Sequence, residues 1–212
     1  EYYVTDCVAI LRDAGEKVVA FEAADPEETM GVNDRVQLSE AEAYMRRRIA
    51  VGHMRNGVTI VDPSSTYIEA DVKIAADTVI QPGSFLRGRT TIGADCVIGP
   101  QADLTDVEVA DGVSINYAVL AEARVDREST VGPFAYIRPG TEIGPKVKVG
   151  DFVELKNAKI GEGTKVPHLS YVGDAEIGSG VNIGCGTITV NYDGAVKHKT
   201  VVQDGAFVGC NK

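Results

Sequence analysis

An aliphatic residue recurs at every sixth position through most of this chain, and few folds can accommodate that period. The series Ile68, Ile74, Ile80, Leu86, Ile92, Ile98, Leu104 runs unbroken. After a slip of three it resumes as Val107, Val113, Val119, Val125, Val131, Ile137, Ile143, Val149 and Leu155. A further slip leads to Ile160, Val166 and Val172, then Ile177 and Ile183. Two positions ahead of the aliphatic residue sits something small or β-branched, as in Thr66, Val72, Thr78, Ser84, Thr90, Cys96 and Ala102. Glycine often follows it directly, as at Gly93, Gly144, Gly150, Gly161, Gly178 and Gly184. A helix of period 3.6 cannot hold this register, and a strand of period 2 needs no turn every sixth residue.

The solution is a parallel β-helix from about residue 58 to 212. Each six-residue unit forms a short strand and a corner, three units close a coil, and coils stack at about 4.8 Å through parallel hydrogen bonds. The recurring aliphatic residue points inward, and the following glycine is expected to serve a corner that needs unusual backbone angles. About eight coils fit at roughly eighteen residues each, and the slips are expected at corners.

Composition narrows the function classes. A net charge of −10 argues against a nucleic-acid partner, and no apolar run approaches the roughly 20 residues of a membrane span. Cys7, Cys96, Cys185 and Cys210 are far apart, with no Cys-x-x-Cys pair. That pattern reads as free thiols in a reducing, cytoplasmic setting. Cys96 occupies a small-residue position of the repeat and is expected in the core.

The first 57 residues stand outside the repeat. Val4 to Ala14 reads as a helix and Lys17 to Ala23 as a strand. A second helix begins at Ser39, where Ser39 and Glu42 have capping-box spacing. Leu38, Ala41, Met45 and Ile49 share one of its faces, and Arg46, Arg47 and Arg48 run toward solvent.

Among three histidines, His168 interrupts the repeat within Lys165-Val166-Pro167-His168, where a plain coil needs no Pro-His. An imidazole that titrates near pH 6.5 can accept a proton at neutral pH. Arg138 and Lys156 offer a fork and a point charge to an anion such as phosphate.

Several motifs in this order resemble one family. They are Glu1-Tyr2-Tyr3-Val4-Thr5-Asp6, Gly31-Val32-Asn33-Asp34-Arg35, and Gly-Pro-Phe-Ala-Tyr-Ile-Arg-Pro-Gly at 132–140. Phe-Val-Glu-Leu-Lys at 152–156, Pro-His-Leu-Ser-Tyr-Val-Gly-Asp at 167–174, Asn-Ile-Gly-Cys-Gly at 182–186 and Val-Asn-Tyr-Asp-Gly at 190–194 complete the set. The chain resembles the bacterial bifunctional enzymes that join N-acetylglucosamine-1-phosphate uridyltransferase to glucosamine-1-phosphate N-acetyltransferase. The resemblance implies a mainly β, left-handed parallel β-helix of hexapeptide repeats preceded by a short α/β remnant. It divides the chain into the end of a Rossmann-like nucleotidyltransferase domain (1–37), a linker helix (38–57) and an acetyltransferase β-helix (58–212) lacking its last coils.

The implied reaction moves acetyl from acetyl-CoA to the amine of glucosamine 1-phosphate, serving UDP-N-acetylglucosamine, peptidoglycan and lipopolysaccharide synthesis. His168 is the implied base. Arg138, Lys156, Tyr171 and Asn182 line the sugar-phosphate site. Cys185, Asn191, Tyr192, Lys197 and Cys210 fall at acetyl-CoA contacts. Asn33 matches the asparagine that helps hold Mg²⁺ in the uridyltransferase site, whose remaining parts precede these residues in the family, so uridyl transfer is not expected here. The family assembles as a homotrimer with each acetyl-transfer site between neighbouring β-helices. A non-catalytic oligomerisation β-helix of a sugar nucleotidyltransferase is the alternative. A zinc-dependent hexapeptide enzyme needs clustered histidines, which three scattered ones do not supply.

Overall fold

A computed structural model describes residues 3–211, so Glu1 and Tyr2 of the first motif and Lys212 at the end of the repeat region lie outside it. The chain forms two units, residues 1–44 and residues 45–212.

The second unit is a three-sided parallel solenoid. Strands of two to four residues form sheets of nine, seven and eight strands, beginning at Thr59–Ile60, Tyr67–Ile68 and Lys73–Ile74. Every strand pairs with its equivalent one coil away, in parallel and in register, as in Val79↔Val97 and Ile137↔Leu155. Seven coils are complete on all three sides; in the eighth, the second side is reduced to a bridge between Tyr171 and Ile188.

The inward column runs Ile80, Leu86, Ile92, Ile98, Leu104, Val109, Ile115, Leu120, Val125, Val131, Ile137, Ile143, Val149, Leu155, Ile160, Val166, Val172, Ile177, Ile183, each 5% exposed or less. One stretch of the sequence reading was out of phase. Val107 and Val113 are buried in the small-residue column, and Val119 points outward at 47% exposure, with Leu120 inward beside it. Shortened corners cause this: Leu104 to Val109, Ile115 to Leu120 and Leu120 to Val125 are five-residue steps, their backbones turned by Asp106, Tyr117 and Glu122 at φ of 53°, 44° and 44°. Valine at the small position keeps the six-residue count running past the missing residue.

Of the glycines after the inward residue, Gly99 and Gly132 turn corners at φ of 98° and 106° as expected, but the others serve a different purpose. At Gly150 and Gly161 φ is ordinary, but a Cβ would lie 2.0 Å from the Pro167 carbonyl oxygen and 2.5 Å from the Gly178 carbonyl carbon of the next coil. Close stacking of coils requires glycine there. Positive φ falls instead on the residue just before the small buried one, as at Asp95, Phe134, Phe152 and Asp174. Cys96 is fully buried as expected, its Sγ 3.1 Å from the Ala110 carbonyl oxygen. Buried hydroxyls likewise bond to carbonyls, for example Thr164 to Gly178 at 2.6 Å.

In the first unit α1 spans Asp6–Asp13. Lys17 to Ala23 has no regular secondary structure and pairs with no strand among the described residues, which corrects the strand reading. The second helix, α2 (Arg35–Arg55), starts earlier than expected. Its cap is Asp34, whose Oδ1 accepts from the Gln37 amide at 2.8 Å while Gln37 Oε1 accepts from the Asn33 amide at 2.7 Å. Ser39 lies within the helix, and its capping role is withdrawn. Leu38 and Met45 are exposed, whereas Ile49 and Ala50 pack on the solenoid core. Arg46 does not run to solvent: its guanidinium sits 4.3 Å over the Tyr67 ring.

Candidate active site

Stacking converts sequence positions one coil apart into spatial neighbours. At the corner between the first and second sheets, Asp151 pairs in register with His168. Counting on from Lys165↔Asn182 and Ile183↔Val208, Cys185 and Cys210 continue the same column. His168 Nδ1 lies 2.7 Å from Asp151 Oδ1, with both side chains open to solvent. The hydrogen bond from the imidazole holds the Asp151 carboxyl below the usual carboxylate range. An ionised Asp151 fixes the proton on Nδ1 and leaves the Nε2 lone pair free. Ser170 secures the turn by donating to the His168 carbonyl at 2.7 Å.

The second sheet presents the anion-binding groups. Registers Ile137↔Leu155 and Lys156↔Gly173 place Arg138 and Lys156 one coil apart in one outward column. Arg138 Nη1 is 2.8 Å from Glu154 Oε1, and that hydrogen bond raises its already high pKa. Tyr171 stands in register with Glu154. Its ring folds over Gly173: a Cβ there would lie 2.4 Å from the phenol oxygen. Glycine therefore leaves the space that the phenol occupies.

At the far corner of that sheet, Asp174 gathers Lys156, Lys197, Asn157 and Asn191. Asn191, Tyr192 and Lys197 lie on the longer segment between Ile188 and Thr200, which closes on itself through a Tyr192–Lys197 bridge and through Asp193. Two backbone amides and His198 hold Asp193, pulling its pKa down to about 2. A groove of about 320 Å³ lies beside Asp174, lined by Asn157, Lys159, Lys197 and Lys199. A second groove, about 480 Å³, runs along the third sheet over Arg124, Glu142, Lys159 and Glu176. It is a solvated ladder of alternating charges away from His168.

One chain thus divides the expected residues. His168, Cys185 and Cys210 share the first corner, and Arg138, Lys156 and Tyr171 share the second sheet. Asn191, Tyr192 and Lys197 meet at the second corner, while Asn182 faces outward from the first sheet beside Lys165. His53 is partly buried, which lowers its pKa, and His198 pairs with Asp193 at 2.7 Å. Asp151, Glu154 and Asp174 had no role in the sequence reading; aligning residues one coil apart would have found Asp151.

Asn33 lies in an exposed segment ahead of α2. Among the described residues no group of three or more His, Cys, Asp or Glu gathers at a point suited to a metal, near Asn33 or elsewhere. No helix among them is long and apolar enough to cross a membrane.

A ridge flanks the His168 column. Tyr117, Phe134, Phe152 and Leu169 each expose 40% to 57% of their surface, one per coil. Ring centroids are 5.6 Å apart from Tyr117 to Phe134 and 5.4 Å apart from Phe134 to Phe152.

No family model matches the chain. It is 80% identical to the bifunctional protein GlmU of Brevibacillus brevis and 55% identical to that of Clostridioides difficile, in both cases over all of its own length. The chain spans about half the length of these relatives, 46% of each. Among solved structures, a UDP-N-acetylglucosamine acyltransferase from Campylobacter jejuni aligns with 71% of this chain and 65% of its own, at 17% identity and a TM-score of 0.46.

Proposed function

We propose that this chain, a relative of the bifunctional GlmU proteins along its whole length, transfers acetyl from acetyl-CoA to the amine of glucosamine 1-phosphate. The observation that supports this most directly is the Asp151–His168 pair at 2.7 Å, one corner away from Arg138, Lys156 and Tyr171. The sugar nitrogen enters as the neutral amine, its ammonium proton having gone to solvent; it adds to the thioester carbonyl while His168 Nε2 takes one proton from it. Collapse of the tetrahedral species forms the amide and expels the CoA sulfur, which takes the proton from the imidazolium. Asp151 orients the ring and stabilises that imidazolium. Arg138 and Lys156 hold the sugar phosphate, with Tyr171 and Asn182 on the sugar. Cys185 and Cys210 continue the His168 column and offer the thioester arm a track along the coils, without acting as nucleophiles. Asn191, Tyr192 and Lys197 take the rest of acetyl-CoA.

The reading includes a homotrimer. The two residue groups lie at opposite edges of the second sheet, and a neighbouring copy packed on the aromatic ridge would close the site between chains. The ridge would also serve the alternative reading, a purely oligomerising β-helix. With one candidate donor at Asn33, uridyl transfer by these residues alone is not part of the function. The product serves sugar-nucleotide synthesis for the cell envelope, in the cytoplasm.

The test mixes the chain with acetyl-CoA and glucosamine 1-phosphate and follows free thiol, with calorimetry of acetyl-CoA binding alongside. Binding together with sugar-dependent thiol release that disappears in His168→Ala is expected. Equal release in His168→Ala overturns the base. Absence of acetyl-CoA binding favours the oligomerising reading.

A further inference from the structure

Asp174 is the most heavily engaged carboxylate of the region, and nothing in the reaction itself requires it. Its Oδ1 accepts from Asn157 Nδ2 at 2.9 Å, and its Oδ2 from Asn191 Nδ2 at 3.1 Å. Lys156 Nζ and Lys197 Nζ stand 3.9 Å and 3.7 Å from the same Oδ2. These partners arrive from two directions. Lys156 and Asn157 belong to the preceding coil, whereas Asn191 and Lys197 belong to the segment between Ile188 and Thr200. That segment has little apolar anchorage: Val190, Tyr192 and Val196 are 84%, 59% and 57% exposed. Polar ties hold it instead. Thr189 bonds both the amide and the carbonyl of Gly173, its own amide bonds the Tyr171 carbonyl, the Thr200 amide reaches the Asp174 carbonyl, and Lys199 pairs with Glu176; the Asp174 side chain adds the ties through Asn191 and Lys197. The Asp174 side chain is only 19% exposed, so its charge is poorly screened, and two ammonium groups drawn to one oxygen would repel each other without it.

We infer that Asp174 is a positioning residue that holds the sugar-phosphate lysine and the acetyl-CoA segment in one arrangement, so that the two ligand sites depend on each other. The inference rests on the proposed function for the identity of the ligands. The pairing itself does not. Hydrogen bonds from Asn157 and Asn191 hold the Asp174 carboxyl below its ordinary pKa, which keeps it ionised at neutral pH. Its backbone sits at φ 48°, a value that asparagine tolerates, so Asp174→Asn removes the charge while keeping the shape of the turn.

Two measurements on the whole chain and on Asp174→Asn separate the inference from the reading beneath it. The first is lysine acylation by an N-hydroxysuccinimide ester, read by mass spectrometry, with Lys148 and Lys165 as internal controls and a melting curve to confirm the fold. Reactivity of Lys156 and Lys197 should rise several-fold while the controls stay level. No change at either lysine, or an equal rise at the controls, overturns the pairing. The second is calorimetry with acetyl-CoA and with glucosamine 1-phosphate. Both affinities should fall by about tenfold or more, the scale of a lost charge-assisted contact. Unchanged affinity for either ligand overturns the positioning role. If the unsubstituted chain binds neither ligand, the proposed function fails while the acylation result still decides the pairing.

Discussion

The phase correction at Val119 and Leu120 can be tested by two substitutions at adjacent positions. Leu120 is 1% exposed and stacks in register between Leu104 and Ile137; Val119, 47% exposed, stands between Asp103 and Tyr136 on the outer face. Leu120→Ala removes three buried carbons, about 2.4 kcal/mol at roughly 0.8 kcal/mol each. The cavity between two rigid neighbouring coils brings the cost to about 3 to 4 kcal/mol. A domain of this size loses roughly 2–4 °C of melting temperature per kcal/mol, so a fall of about 10 °C is expected. Val119→Ala removes two half-solvated carbons and should stay within about 0.5 kcal/mol. Thermal melts followed by far-ultraviolet circular dichroism give the comparison. Hydrogen exchange on the coils around Leu104 and Ile137 shows whether the loss is local, as nearest-neighbour stacking requires. Equal losses, or a larger loss from Val119→Ala, would refute the register and return the six-residue phase through this stretch.

Gly150→Ala should cost about 3 kcal/mol, since its Cβ would stand 2.0 Å from the Pro167 carbonyl oxygen; chemical denaturation with an unchanged midpoint would remove the close-approach argument. Iodoacetamide should label exposed Cys7 and Cys210 and spare Cys96, whose thiol is buried and pushed up in pKa. Acetyl-CoA should then protect Cys210 but not Cys7, and peptide mapping that shows equal labelling with and without acetyl-CoA would count against the proposed track. The Asp193 carboxyl has a folded pKa of about 2 against an ordinary 3.8, so its hold on the 193–198 turn is complete above pH 4 and lost as pH falls through about 2. Protection of the Ala195 and Val196 amides, taken relative to their intrinsic exchange rates at each pH, should therefore fall between pH 4 and pH 2, and flat protection across that range would contradict the assignment.

The solenoid was legible because one physical requirement, an inward aliphatic residue on each side, is written at a fixed interval. Its phase was less legible where a corner loses one residue and valine fills the small position, since Val107 and Val113 satisfy burial from either column. The glycine pattern was visible, but its cause was not. A sequence shows that Gly150 and Gly161 have no side chain, and only the neighbouring coil shows what a side chain would strike. Helix α2 was found with a misplaced start, because Asp34 and Gln37 offered a better cap than the Ser39–Glu42 pair.

The site follows the same logic, one level higher. His168 was noticeable as a break in the repeat, but its partner Asp151 lies seventeen residues earlier, one coil away in the Asp151↔His168 register. No local motif spans that gap. Coil alignment does, because equivalent positions stack at about 4.8 Å and bring polar side chains within hydrogen-bonding reach. Arg138 with Glu154 and Lys156 with Asp174 arise in this way, each joining residues on successive coils. The same stacking leaves Asn182 on a different face from Tyr171. Stacking organises groups along the axis within a side, and it has no means of bringing two sides of the triangle together. On the proposed reading a neighbouring copy closes the site across the corner, and the exposed column of Tyr117, Phe134, Phe152 and Leu169 runs beside His168, where that copy would rest.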